Sequence, residues 1–389
     1  MIALDKLVEI GFTYSTATNL SAFFRNVGYL TVGTDSLITG VELPADKVIV
    51  IDSMETLKAT LKSDSQEYLD IANVFIQKGN MNPNRGRVNN VIVYFATLSS
   101  GETYGNLVDE FVGVNANWAQ LLVNTNVDED IQDVATKVLE NDRLFVAQTV
   151  SDDVANAVSG NIALALKALN NANVLLTYHT TANESLAAGL AGIMANPNLG
   201  AVGSLYSTVT NILPEDYTAT VNTNLDNQNV TYYSNVNAIN GGGVSQYATP
   251  IVYGGYMING EDAKRRYIRF YIDKMIKARC IDFLKKKLTY EDVSADVLLS
   301  MIKTVLIGCQ SNGLIKQDSI ITSGDDVLET LGFEVKTIYP TALRVEDETL
   351  YNSQTYKVVG YYRDALTGRK VLIDLFIDPS DIEKSTLGF

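Results

Sequence analysis

Histidine occurs once in the 389 residues, as His179, and cysteine twice, as Cys280 and Cys309. So few ligands exclude a Cys/His zinc cluster and a disulfide framework. Sparse cysteine also fits a chain made in a reducing compartment. Proline numbers only 7 while 46% of residues are hydrophobic, which excludes a disordered or fibrous chain. Positive charge is scarce: 30 Lys and Arg against 45 Asp and Glu give −15. That balance argues against generic nucleic-acid binding, and no direct nucleic-acid contact is expected. No apolar run reaches the roughly 20 residues of a spanning helix, so no membrane insertion is expected. The opening MIALDKLVEIGFTY lacks the basic stretch and apolar core of a secretory leader. There is no GxxxxGKS/T loop, no GxGxxG after a strand and no GxSxG elbow, so the usual phosphate cradles and nucleophile turn are absent.

What is present reads as a mixed α/β chain with room for about two domains. The centre alternates strand and helix three times. Strands at 118–123, 144–149 and 174–178 are followed by helices at 128–141, 152–169 and 183–194. Such alternation predicts a parallel sheet covered on both faces. Upstream, 47–51 and 91–95 read as strands, and Ser53 and Ser65 as caps of two helices. Residues 196–250 are polar and loop-rich, with Asn240-Gly241-Gly242-Gly243 as a flexible break near a domain boundary. The longest helix is expected over 261–287, a second from 294 or 295 to 312, and a strand over 332–339. Segments 356–362 and 371–377 flank a turn at Gly368 and read as a hairpin. The alternating Leu7 to Tyr14 stretch has no nearby partner, so it pairs with something distant or with another chain.

Chemistry-bearing constellations are few. His179 follows the third central strand, where α/β enzymes place ligand-contacting groups. The plainer reading is a strand-end histidine bonded locally. Cys280 and Cys309 sit in helices and read as inert core thiols. No cofactor and no metal is expected. One charge feature stands out. Residues 261–287 hold ten basic and four acidic side chains, a local +6 that leaves −21 for the remainder. Either this is a solvated helix face, or it meets an acidic partner surface through many individually weak pairs.

Several segments in order resemble a contractile tail sheath protein of tailed bacteriophages, of the compact myophage type. These are Ser65-Gln66-Glu67-Tyr68 running into Phe75-Ile76-Gln77, and the helix before Asn173-Val174-Leu175-Leu176-Thr177-Tyr178. The Ala187-Ala188-Gly189 helix ending at Asn196-Pro197 follows, then Gly254-Gly255-Tyr256-Met257-Ile258-Asn259-Gly260 leading into the basic helix. The likeness covers most of the chain by order of elements, and 196–250 matches weakly. It implies a central α/β layer with parallel strands, a C-terminal α+β domain and extended terminal β arms. The implied division is an N-terminal arm at 1–20, an outer and middle domain at 21–250, an inner domain at 251–378 and a tail at 379–389. It further implies a non-enzymatic subunit of stacked hexameric rings around a tail tube, assembled in the host cytoplasm and carried in the virion. Baseplate and tail terminator proteins would be its other partners. Leu7, Val8, Ile10, Phe12 and Tyr14, with Val371, Ile373, Leu375 and Ile377, would exchange strands between neighbours. Lys264, Arg265, Arg266, Arg269, Lys274, Lys277, Arg279 and Lys285 would face the tube. A phage-derived bacteriocin or other injection sheath shares this mechanical unit, and an enzyme with a site near His179 is the third alternative.

Overall fold

The computed structural model describes residues 20–77, 88–195, 205–236, 239–240, 243–244, 249–316, 319–323, 326–330 and 332–362. Helix α1 (Leu20–Arg25) leads into β1 (Asn26–Val32), followed by β2 (Val48–Ile51), α2 (Met54–Thr60), α3 (Gln66–Ile76), β3 (Asn90–Ala96) and α4 (Tyr104–Val114). Strand β4 (Gln120–Val123) precedes α5 (Asp128–Glu140), and β5 (Leu144–Thr149) precedes α6 (Asp152–Ala155) and α7 (Ile162–Ala168). Strand β6 (Val174–Tyr178) precedes α8 (Leu186–Met194). Then come α9 (Ala219–Asn227), β7 (Thr231–Val236), the two-residue strands β8 (Ile239–Asn240) and β9 (Gly243–Val244), and β10 (Thr249–Tyr253). The last part holds α10 (Ala263–Lys285), α11 (Asp292–Ser311), β11 (Ser319–Ser323), β12 (Asp326–Thr330), β13 (Phe333–Ile338), α12 (Pro340–Glu346), α13 (Glu348–Asn352) and β14 (Lys357–Tyr362).

The fold is mixed α/β. Eight strands form one sheet in the order β10-β7-β6-β5-β4-β1-β3-β2. Pairing is parallel from β7 across to β3 and antiparallel at the two edges, β10 and β2. The apolar runs explain why the central strands lie inside: every residue of β5 and β6 is buried. Alternate side chains serve opposite faces. Leu144 and Val146 join a core with α3, α8, α10 and α11, while Phe145 and Ala147 join one with α4, α5, α7 and α9. Burying each such side chain contributes roughly 1.5–3 kcal/mol.

The three central strand–helix steps are where they were expected, with one correction. The helix expected over 152–169 is broken into α6 and α7. Ala157 and Gly160 take positive φ of 52° and 83°, and the Asn161 side chain accepts from Leu164 N at 3.0 Å to start α7 afresh. Serines 53 and 65 cap α2 and α3 as expected, accepting from Thr56 N and Tyr68 N at 3.2 Å. Strand β2 is less buried than its composition suggested, because it lies at the edge and leaves Val50 47% exposed. The loop-rich reading of 196–250 overlooked α9, β7 and the start of β10, and Asn240 and Gly243 of the Gly-rich stretch belong to the β8–β9 pair. Strand β14 pairs antiparallel with β13; the expected hairpin partner at 371–377 lies outside the described residues.

Strand β1 was also overlooked, although it sits mid-sheet between β4 and β3. Its Gly28 explains part of that. A Cβ there would stand 2.7 Å from the Trp118 ring, so the strand has a glycine where the indole lies against it.

Candidate functional site

The strand order reverses between the parallel neighbours β1 and β4: from β1 to β3 the chain adds strands on one side, and from β4 to β7 on the other. In open α/β folds the crevice outside the carboxyl ends at such a point is where ligands bind. Here α3 fills it. Its Ser65 cap sets the first turn, which aims Glu67 and Asp70 at the sheet. Thr31 of β1 donates to Glu67 at 2.7 Å, and Asn124 beyond β4 donates to the same oxygen at 2.8 Å. Asp70 accepts from the Tyr29 hydroxyl at 2.7 Å and from the Gln66 amide at 2.6 Å. Burial raises Asp70 to about 6, against the lowering effect of those two bonds. Between α3 and the ends of β4 and β5 there remains a cavity of about 30 Å³, lined by Gln66, Asp70, Asn124 and Gln148 among others. It has the volume for about one water, not a substrate. Gln148 is itself engaged, accepting from Leu186 N at 2.7 Å and donating to Glu184 O at 3.1 Å.

His179 is 1% exposed at the end of β6. Its Nδ1 accepts from Thr181 N at 3.2 Å, which leaves Nε2 to donate to Leu213 O at 3.1 Å. Glu215 and Glu184 stand 3.6 and 3.8 Å from the ring nitrogens. Those carboxylates also hold backbone: Thr180 N donates to Glu215 at 3.0 Å and Leu213 N to Glu184 at 2.7 Å. The ring therefore ties the segment around 213–215 to the sheet. The described cavity at this end is not lined by His179. The two thiols are similarly quiet, since burial pushes Cys280 up to about 11 and Cys309 up to about 12.

The opposite end of the sheet belongs to α10, capped by Asp262 accepting from Arg265 N at 3.0 Å. This helix crosses the amino ends of the parallel strands. Arg266 donates twice to Asn173 Oδ1, just before β6, at 2.9 and 2.6 Å. Lys274 pairs with Asp142, just before β5, with both side chains almost wholly buried. Burial lowers Lys274 to about 8, partly offset by Asp142. Tyr267 donates to Phe24 O at 3.1 Å, and Arg143 lies 5.1 Å from the Phe23 and Trp118 rings.

The expectation of one charged face along the whole helix therefore needs correcting. Arg266, Lys274 and Lys277 are 8%, 2% and 1% exposed, because the helix lies on the sheet's amino ends and on α1 and α11. Lys264 and Arg265 are half-buried. Arg269, Arg279 and Lys285 are exposed; Arg269 pairs with Glu261 at 2.8 Å and Arg279 with Asp282 at 3.4 Å. Sequence reasoning missed the buried pairs, yet a signal existed. Arg266, Phe270, Lys274 and Lys277 share one helical face by spacing, so cations in phase with a core phenylalanine marked a buried side. The strand-exchange residues Leu7, Val8, Ile10, Phe12, Tyr14, Val371, Ile373, Leu375 and Ile377 lie outside the described residues. Among the described residues β13 and β14 form a two-stranded sheet.

No family model matches the chain, and no curated protein matches it. Solved structures do share the fold. A chain from the cryo-EM structure of the anti-feeding prophage baseplate, six-fold symmetrised, is 13% identical. The match covers 92% of this chain and 94% of that one, with a TM-score of 0.62. A chain from the anti-feeding prophage helical sheath in the contracted state is 10% identical. That match covers 95% of this chain and 100% of the other, with a TM-score of 0.60.

Proposed function

We propose that the chain is a structural subunit of a contractile, phage-tail-like assembly, and within it a sheath subunit. What supports this most is a likeness spanning nearly the whole of both chains in the contracted sheath comparison, from element order that the sequence alone already suggested. The plugged crevice and the fully engaged His179 fit a mechanical body better than a catalytic one. On this reading, copies stack as hexameric rings around a tail tube. They are joined by the segments around Leu7–Tyr14 and Val371–Ile377, which lend strands to neighbours. Main-chain hydrogen bonds then carry the connection and side-chain alternation fixes its register. The extended sheath is metastable and shortens when triggered, driving the tube through the host envelope. Tube, baseplate and tail terminator proteins complete the partner set, and the particle is a phage virion or a bacteriocin-type device.

The other likeness favours a second reading, a place in the baseplate. Negative-stain electron microscopy of the purified chain separates the two. Hollow cylinders of stacked rings are expected from a sheath subunit. Single rings or monomers at every concentration and salt would overturn the sheath role.

A further inference from the structure

A second cavity, of about 110 Å³, opens between α10 and α11. Tyr271, Met275 and Arg279, one turn apart on α10, form one side of it, and Gly308 and Asn312 of α11 the other. Cys309 lies at its base, 2% exposed. The groove exists because α11 has no side chain at Gly308: a Cβ there would meet no atom within 4 Å. Tyr271 and Met275 are only partly buried, so apolar surface stays open between two packed helices. A dry apolar cavity of roughly 150 Å³ holds a benzene ring. This one has an open mouth as well, and so has room for one large side chain.

The place where the chain enters the body indicates what covers the groove. Helix α1 begins at Leu20, one turn and about 6 Å before Phe24. The Phe24 ring packs edge-on against Tyr271 with 4.8 Å between centroids, and Tyr267 donates to Phe24 O. The residues that precede Leu20 therefore join the body beside the groove. Ser15 to Asn19 are small or polar, and Tyr14 and Phe12 are the first large apolar side chains met going back from Leu20. Full extension lets Tyr14 stand about 20 Å from Leu20. The groove itself runs only about 12 Å from Tyr271 to Arg279. In an extended segment residues 12 and 14 share one side, so both rings can turn to the same groove. Arg279 and Asn312 at the rim suit a tyrosine, whose ring packs while its hydroxyl stays at a polar edge.

We propose that the Phe12–Tyr14 stretch docks in the α10–α11 groove of its own chain, with the Tyr14 ring in the cavity beside Cys309. The docking is internal to one chain and does not depend on assembly. On the sheath reading it fixes the root of the N-terminal arm to its own body and leaves the residues before Phe12 to reach a neighbour. A stretch of 363–389, or the same stretch of a second copy, would be a different occupant, and the test separates these.

The test uses the full chain in dilute solution, with Cys280→Ser so that Cys309 is the one native thiol left. Tyr14→Cys is added, Phe12 keeping one ring of the pair, and the protein is oxidised with diamide. A disulfide between positions 14 and 309, found by peptide mass mapping and reversed by reductant, is expected in most molecules. Such a link needs Cα atoms within about 7 Å, so loose proximity does not produce it. Gly308→Leu places a side chain in the groove and is expected to abolish the link. With Tyr14 intact, iodoacetamide should reach Cys309 slowly, and about tenfold faster or more once Phe12→Ser and Tyr14→Ser are made, since burying one aromatic ring is worth at least that factor. Absence of the 14–309 disulfide, or its persistence with Gly308→Leu, overturns the inference. So does a link found only between isotopically labelled and unlabelled copies, or a Cys309 that is uncovered by removing 363–389 and not by the two serine changes. None of these results touches the assembly reading. Conversely, a chain that never forms particles under the electron microscope loses that reading and leaves the docking standing.

Discussion

Both ends of the parallel sheet bury charge, but they stabilise it in different ways. At the carboxyl end, Glu67 and Asp70 of α3 meet neutral donors from Thr31, Asn124, Tyr29 and Gln66. At the amino end, Lys274 of α10 meets the carboxylate of Asp142, and Arg266 meets the Asn173 amide. The first arrangement fills a crevice where α/β enzymes hold ligands. The second, with the Tyr267 bond to Phe24 O, fixes the register of a long helix on the strands' amino ends. Two polar sets on one sheet therefore do two jobs: one closes the body, the other fastens the C-terminal helices to it.

The largest effect should come from the amino end. Asp142→Ala leaves Lys274 buried without its carboxylate and is expected to cost about 3–5 kcal/mol in urea unfolding. The paired change Asp142→Asn with Lys274→Met should cost far less, since a buried ion pair is often replaceable by neutral groups. Equal losses from the single and double changes would mean the pair is not what fastens α10. At the carboxyl end, Glu67→Ala strands the Thr31 and Asn124 donors and is expected to cost about 1–3 kcal/mol. A neutral result would show that water replaces the plug and that the crevice is open after all.

The two ends should also respond oppositely to pH. Asp70 has a folded value of about 6 against an ordinary 3.8. Between those values the folded chain binds the extra proton, so stability falls as pH rises through that window. Lys274 is lowered to about 8 from 10.5. Between those values the unfolded chain holds the extra proton, so stability rises with pH there. Asp70→Asn should flatten the acidic slope and Lys274→Met, made with Asp142→Asn, the alkaline one. Slopes unchanged in these variants would contradict the assignments. The smallest effect is at His179. His179→Gln loses part of the bond set to Thr181 and Leu213 and is expected to cost about 1 kcal/mol, with assembly unaffected. Loss of assembly there would reopen a role beyond tying down one segment.

Local signals were the most legible in the sequence. Ser53 and Ser65 announced two helices, and the apolar runs of β5 and β6 marked buried parallel strands. Long-range features were not. Strand β1 carries Gly28 for the sake of Trp118, 90 residues later, so its pattern looked broken. Strand β7 is Thr231-Tyr232-Tyr233-Ser234-Asn235-Val236 and β10 carries Pro250, polar or strand-breaking residues that read as loop until the sheet beside them is known. The net charge of 261–287 suggested an open basic face, whereas Lys274 owes its place to Asp142, a contact no local window reveals. Of the candidate assembly arms, 7–14 read as a strand without a nearby partner and 371–377 as half of a hairpin, and both lie outside the described residues.

Removal of residues 1–14 tests the central claim most directly, with sedimentation and circular dichroism measured beside the full chain. The account predicts a folded body of unchanged helix content that no longer forms connected particles, while the full chain does. Truncated protein that sediments as the same large assemblies would contradict it.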